Sequence, residues 1–238
     1  MKLDVLAIAP HPDDAELTCG GTLLKMAEAG YRTGILDLTQ GEMGTRGTPE
    51  IRAREAAQAA KILGVKLRRN LGLPDARLRV CDEFKTAIAE VIRELEPHTV
   101  ILPYWQGRHP DHYTAATLGY EACFIAGLKN YPLGGEAFRP FKVLYAAAYA
   151  IAAPTFAVDI TKYFERRRRA ILAYASQFRP AKKEKPSRVA LPLDRLEERM
   201  NLTARYYGRL IGVAYAEGFV VKEVMQVDDV VKMPVRSM

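Results

Sequence analysis

Residues 3–9 (Leu-Asp-Val-Leu-Ala-Ile-Ala) form a nearly unbroken apolar run, and residues 99–104 (Thr-Val-Ile-Leu-Pro-Tyr) form another. Such runs predict strands buried on both faces, as in parallel sheets covered by helices. Each run is followed by a polar turn and a helical pattern. Residues 15–29 carry Leu17, Leu23, Leu24 and Met26 at helical spacing with Gly30 as the stop, and residues 112–128 form the second such segment. Between them the pattern predicts strands over 33–39 and 65–71, and helices over 50–63, stopped by Gly64, and 82–95, followed by Pro97. Strict β-α alternation over this half argues an α/β fold with a Rossmann-like, doubly wound, mostly parallel sheet. Further strands are expected over 142–149 and 156–160, and helices over 161–177 and 193–212 around a basic, proline-containing linker. The tail from Gly218 holds β-like stretches, Phe219-Val220-Val221 and Val230-Val231. Residues 1–238 read as one domain, a core to about residue 160 with a C-terminal helical and β extension over 161–238.

Hydrophobic residues make up 49% of the chain and charged residues 26%, the balance of a globular enzyme. No apolar run approaches the ~20 residues that span a bilayer, so no membrane association is expected. The first residues, Met1-Lys2-Leu3-Asp4, pass directly into a strand and lack the features of a signal peptide. Cys19, Cys81 and Cys123 are odd in number and widely spaced, which argues against a disulfide framework and for a reducing, cytoplasmic location. The formal charge of +7 is concentrated in Glu165-Arg166-Arg167-Arg168-Arg169 and in the stretch Arg179 to Lys185. No helix-turn-helix, zinc-finger or aromatic RNA-binding pattern accompanies it. The charge therefore reads as a solvated helix face and a flexible surface loop, with no nucleic-acid partner, while steering a small anionic substrate remains open.

The chemistry concentrates at the two strand exits. His11-Pro12-Asp13-Asp14 follows the first strand and His109-Pro110-Asp111-His112 the fourth. Ligands of open α/β sheets gather beyond the carboxyl ends of the strands, so adjacency of these two strands would bring both clusters into one crevice. Two histidines, a carboxylate and a water make a standard catalytic zinc arrangement. His11 and Asp14, three residues apart at a turn, and His112, at the start of its helix, are the expected ligands; Fe²⁺ is the alternative ion for such a set. Asp13 is free to act as general base. His109 stands where it could stabilise an oxyanion or protonate a leaving amine, and Asp111 where it could orient an imidazole. Each piece has an ordinary structural explanation. A histidine near a strand end is commonly hydrogen-bonded structure, and paired aspartates before a helix are commonly N-caps. The coincidence is weakened because three of the four histidines fall in these two tetrapeptides, both of them beginning His-Pro-Asp at a strand exit. His98, after Pro97, reads as structural.

His11-Pro12-Asp13-Asp14-Ala15-Glu16 together with His109-Pro110-Asp111-His112 resembles the PIG-L/LmbE family of zinc-dependent de-N-acetylases, which act on N-acetylglucosamine conjugates. Stretches around Asp37-Leu38-Thr39, Glu50-Ile51-Arg52, Asn70 to Asp75, Tyr174 to Phe178 and Gly212 to Phe219 resemble the bacillithiol-biosynthesis branch, whose substrate is N-acetylglucosaminyl-malate. The resemblance covers almost the whole chain. It implies His11, Asp14 and His112 as zinc ligands, Asp13 as base, His109 as transition-state stabiliser and a homo-oligomer, with a hexamer as one candidate. Pro10 departs from the family's usual alanine and should stiffen the strand exit. A substrate bearing two carboxylates calls for arginines, which grip carboxylates with a fork of two donors. Arg52 and Arg108 lie near the expected crevice and match branch positions, with Arg46 and Arg54 behind them. Gly41, Gly44 and Gly47 do not follow the dinucleotide fingerprint and come after the second strand. They read either as a mobile lid that uses Glu42 or Thr45 on the substrate, or as a plain surface loop. Two other classes compete: a non-catalytic zinc- or sugar-binding protein, which would need neither Asp13 nor His109, and a nucleotide binder, which the absence of a glycine-rich first turn opposes.

Overall fold

A computed structural model describes residues 1–178 and 193–235. The alternating half folds as β1 (Val5–Ala9), α1 (Asp14–Glu28), β2 (Thr33–Thr39), α2 (Pro49–Leu63), β3 (Leu67–Leu73), α3 (Asp82–Leu95), β4 (Thr99–Pro103) and α4 (Pro110–Ala126). The rest adds β5 (Lys142–Ala146), β6 (Phe156–Asp159), α5 (Phe164–Leu172), the short α6 (Ala175–Phe178), α7 (Leu193–Ile211) and β7 (Ala216–Val220). All seven strands form one sheet in the order β3-β2-β1-β4-β5-β7-β6. The first five are parallel, and β7 enters antiparallel between β5 and β6. The expected α/β, mostly parallel, doubly wound sheet is thus observed.

β1 shows why its run of apolar residues needs two covering layers. Leu6 and Ile8 pack on the α3–α4 side with Phe84, Ile88, Ile92 and Leu118. Val5, Ala7 and Ala9 pack on the other side with Leu23, Ala59, Leu63 and Ala170. Alternate side chains of one strand therefore serve two cores, as period-two geometry requires.

Five expectations need correction. The third strand begins two residues late, because the Val65 amide closes α2 on the Ala60 carbonyl and Lys66 bonds to Thr33 before β3 starts. The strand expected over 142–149 stops at Ala146, and the next residues turn toward the cleft described below. The helix expected over 161–177 breaks after α5, where Tyr174 turns fully inward and reaches the Glu16 carboxylate. Val230 and Val231 form no strand and are 79% and 89% exposed. The arginine run is only in part a solvated face: Glu165 and Arg169 are exposed, but Arg166 donates to the Ile62 carbonyl and Glu28, and Arg167 is buried. The basic stretch Arg179 to Lys185 lies outside the described residues.

Arg167 and Glu217 repair a break in α1. The helix kinks at Cys19 (φ −143°), so carbonyls before the kink and amides after it lose their helical partners. Arg167 takes the Glu16 and Leu17 carbonyls at 3.0 and 2.6 Å. Glu217, on β7, takes the Gly21 and Thr22 amides at 2.8 and 2.7 Å and pairs with Arg167 at 3.0 Å. Gly21 packs directly against Ile160, where a Cβ would lie 2.8 Å from that side chain. The C-terminal segment is thereby bolted to the helix that follows the His11 turn. Glu217→Ala leaves the buried Arg167 without its counter-charge and the Gly21 and Thr22 amides without acceptors, and is expected to lower unfolding free energy by about 3–5 kcal/mol in urea titrations. Glu217→Gln, which keeps an accepting oxygen, should cost less.

Candidate active site

β1 and β4 pair directly, Val5 beside Thr99 through Ala7 beside Ile101. Because β2 lies on the other flank of β1, the winding reverses here, and the turns after β1 and β4 open into one crevice. The two clusters meet in it. His11 Nδ1 lies 2.9 Å from Asp14 Oδ2, and His112 Nε2 lies 3.3 Å from the same oxygen. The three donor atoms all fall within 4.8 Å of one another. Asp14 Oδ1 accepts the Tyr149 hydroxyl at 2.5 Å. Burial alone would raise the Asp14 carboxyl, but His112 and His11 hold it well below the usual carboxylate range.

The far side of the His11 ring determines its tautomer. Nε2 faces Asp75 at 3.0 Å and Asp111 at 3.2 Å, so a ring hydrogen belongs on Nε2, and Nδ1 is left turned toward Asp14. Both carboxylates are themselves fixed. The Ala76 amide donates to Asp111 and to Asp75, and the Met43 amide donates to Asp75. Burial works against an ionised Asp75, yet His11 and these amides bring its carboxyl down to about 2.

His109, Asp111 and His11 form a second group of donors equally close together. His109, however, is the N-cap of α4, its Nδ1 accepting from the Asp111 amide at 3.2 Å. Its hydrogen therefore sits on Nε2, which makes the ring a hydrogen-bond donor, whereas His112 Nε2 faces Asp14. The Asp13 carboxylate, by contrast, makes no cap bond although it stands at the N-cap of α1. Its backbone, at φ 112°, is in a conformation rare for a side-chain-bearing residue, a form of strain that clusters at functional sites. Its carboxylate meets Arg52 Nη2 at 3.3 Å, and burial pushes it up to about 8 against the pull of that arginine.

A cleft of about 260 Å³ opens over this floor. Its walls are Asp13, the 103–109 loop, Ala148 and Tyr149, Gln177 and Phe178, and one face of α7. Of the residues expected at the substrate, only Arg108 lies on that wall. Arg52 is 5% exposed and sits behind Asp13, donating to the Gly41 and Pro12 carbonyls. Glu42 accepts from the Asp75 amide at 2.7 Å, and Thr45 is exposed and not among the lining residues. The glycine-containing loop is stitched down as well: Met43 bonds to Asp75, and the Arg46 carbonyl accepts from Gln177 at 2.6 Å.

A family model described as PIG-L, GlcNAc-PI de-N-acetylase, matches residues 6–123. A diacetylchitobiose deacetylase of Thermococcus kodakarensis is 34% identical over 228 residues, 90% of this chain and 81% of the relative. The chain belongs to the PIG-L family. A probable N-acetyl-alpha-D-glucosaminyl L-malate deacetylase of Bacillus anthracis is 31% identical over 73% of this chain and 81% of its own length. A conserved protein of Thermus thermophilus superposes with a TM-score of 0.86 at 42% identity, covering 95% of this chain and 98% of its own. The chain is accordingly a hydrolytic deacetylase, and its relatives act on N-acetylglucosamine-type small molecules. Two imidazoles and a carboxylate converging beside a cleft suit a divalent metal with one coordination side left free. No helix among the described residues is long and apolar enough to cross a membrane.

The sequence reading missed Asp75, Tyr149 and the α7 wall. Asp75 stood in the Asn70 to Asp75 stretch, but nothing in its local pattern showed that it reaches His11. If Asp75 orients His11 as the geometry indicates, Asp75→Asn should weaken zinc binding roughly 10–100-fold, read by competition with a chromogenic chelator while far-UV circular dichroism stays unchanged.

Proposed function

We propose that this chain hydrolyses the N-acetyl group of an N-acetylglucosaminide with an anionic aglycone, N-acetylglucosaminyl-malate being the best candidate, as in bacillithiol biosynthesis. The observation that carries the chemistry is an Asp13 carboxylate, free of capping duty, that lines the cleft together with His109 and His112, the latter converging with the more deeply buried His11 and Asp14. The observation that favours an anion is the wall. Asp13 is the single acid among the lining residues described, and Arg108 stands there with no carboxylate partner among the described residues.

His11, Asp14 and His112 would hold zinc, with Fe²⁺ as the alternative ion. Bound there, the metal supplies Lewis acidity that makes water nucleophilic near neutral pH and polarises the acetyl carbonyl. Asp13 takes the proton of the attacking water, held in place by Arg52. His109, with its hydrogen on Nε2, donates to the carbonyl oxygen as negative charge builds. Tyr149 steadies Asp14, and Asp75 with Asp111 steadies His11. The C–N bond breaks to give acetate, and the proton taken by Asp13 balances the departing amine, delivered by Asp13 or through His109. Arg108 grips a carboxylate of the aglycone. We propose a cytoplasmic enzyme, in keeping with the free thiols of Cys19, Cys81 and Cys123. A homo-oligomer, up to a hexamer, is supported by the exposed apolar side chains of the tail, Val224 at 97% and Val231 at 89%.

Neutral diacetylchitobiose is the competing substrate, favoured by the Thermococcus relative and by the apolar faces of Leu17, Phe178 and Met200 in the cleft. The deciding experiment is amine release by zinc-loaded protein from N-acetylglucosaminyl-malate, N,N′-diacetylchitobiose and N-acetylglucosamine. The expected result is the highest kcat/KM on the malate conjugate, with Asp13→Asn lowering kcat about 10²–10⁴-fold while zinc stays bound. A higher kcat/KM on the disaccharide would replace the malate reading with the chitobiose one. Release from none would remove the deacetylation reading of these substrates.

A further inference from the structure

Every residue assigned so far to the metal, the base and the oxyanion, and Arg108 as well, lies within residues 6–123, the span shared with the family. The roof of the cleft does not. Leu196, Arg199, Met200 and Thr203, spaced three, one and three residues apart on α7, line it from the C-terminal extension. That spacing places all four on one face of the helix. Leu196 and Met200 are 3% and 5% exposed and anchor α7 in the core. Arg199 projects between them at the cleft, and its backbone is therefore well fixed.

The surroundings of Arg199 differ from those of its neighbours. Arg168 on α5 pairs with Glu197 on α7, and Arg167 with Glu217. The Arg199 guanidinium meets no carboxylate or carbonyl among the described residues. Its contact is with the face of Tyr149, 5.9 Å from the ring centre. Tyr149 in turn stacks on His112 at 4.7 Å and 25°, and His112 on His109 at 4.8 Å and 18°. The Tyr149 hydroxyl is fastened to Asp14. Arg199 thus caps a stack of rings that begins at the reacting centre, one aromatic layer beyond the ligand His112.

We infer that Arg199 is the specificity-determining residue of the aglycone subsite, its guanidinium closing with Arg108 on a carboxylate carried by the substrate. The inference rests on the deacetylase reading and adds to it the function of the C-terminal extension. The chemistry fits on three counts. A guanidinium presents two parallel donors to a carboxylate. A guanidinium with no acceptor among the described residues has those donors to give. A cleft whose lining holds several cations and one acid attracts an anion before contact. Variation in α7 could then change the preferred aglycone without disturbing the centre that cleaves the amide.

The test is steady-state kinetics of wild type, Arg199→Gln and Arg199→Lys on N-acetylglucosaminyl-malate and N,N′-diacetylchitobiose, with Tm recorded for each. Arg199→Gln is expected to raise KM for the malate conjugate roughly 10–100-fold more than for the disaccharide, with a smaller change in kcat. Arg199→Lys should recover part of the loss, because it keeps the charge but not the fork. Equal changes on both substrates, or none on the malate conjugate, would overturn the assignment. If wild type cleaves neither, the deacetylase reading of these substrates falls, and Arg199 is then judged by calorimetric binding of glucosaminyl-malate. A ten-fold or greater weakening in Arg199→Gln supports the subsite, and equal affinity removes it.

Discussion

The site depends on the pairing of β1 with β4. Two strands separated by nearly a hundred residues lie side by side and parallel, and both deliver a His-Pro-Asp turn to the same edge. Were another strand interposed, roughly 5 Å of sheet would be added between His11 and His112. Asp14 Oδ2 now stands 2.9 and 3.3 Å from the two imidazoles, a fit with no room for that spacing. The pairing itself rests on elementary requirements: a parallel connection needs a crossover, the crossover is a helix, and both faces of the strand must then be covered.

Beneath the cleft the protein buries an unusual amount of charge. Arg68 holds Asp37 with two hydrogen bonds and reaches Glu16 as well, while Tyr174 donates to the same Glu16 carboxylate. Burial works to raise the Asp37 carboxyl, and Arg68 works against it. Such clusters contribute little net stability, since desolvation offsets attraction. Their effect is on geometry. Glu16 lies in the first turn of α1, two residues from Asp14, and Tyr174 and Arg167 reach that turn from the C-terminal segment. The ligand-bearing turn is therefore held from below by ionic contacts with well-defined directions, which apolar packing alone would not supply.

The legible part of the fold was the part governed by local periodicity. β1, α1, β2, α2, α3, β4 and α4 fell within a few residues of expectation because buried parallel strands and amphipathic helices announce themselves in sequence. The convergence of His11, Asp14 and His112 beside Asp13 was legible because their spacing within each turn is short and their turns follow such strands. Arg52 was misplaced because closeness in sequence to the second strand exit does not tell which way a guanidinium turns. The Gly41 and Pro12 carbonyls, which it satisfies, belong to no motif. Asp75, Tyr149 and Arg199 escaped for a related reason: each reaches the site through a contact distant in the chain, to His11, Asp14 and the cleft. The break at Tyr174 was hidden too, since it follows from a buried acid on α1 and not from any helix-stopping residue nearby.

The division between the two halves of the chain bears on how function is set. Residues 6–123, the span that matches the family, carry His11, Asp13, Asp14, His109 and His112, the side chains that converge on one crevice. Selection must come from what surrounds the sugar once its acetamide is seated. Much of that surround is supplied by the later part of the chain, through Tyr149, Gln177, Phe178 and α7. The extension cannot move independently of the centre, because β7 is part of the sheet and Glu217 fills the amides of the α1 kink. Recognition residues mounted this way keep a fixed distance to the reacting amide, which is the condition for remote binding energy to act on the chemical step. On the reading proposed above, the fold and the convergent histidines set the reaction, and α7 sets which substrate is taken.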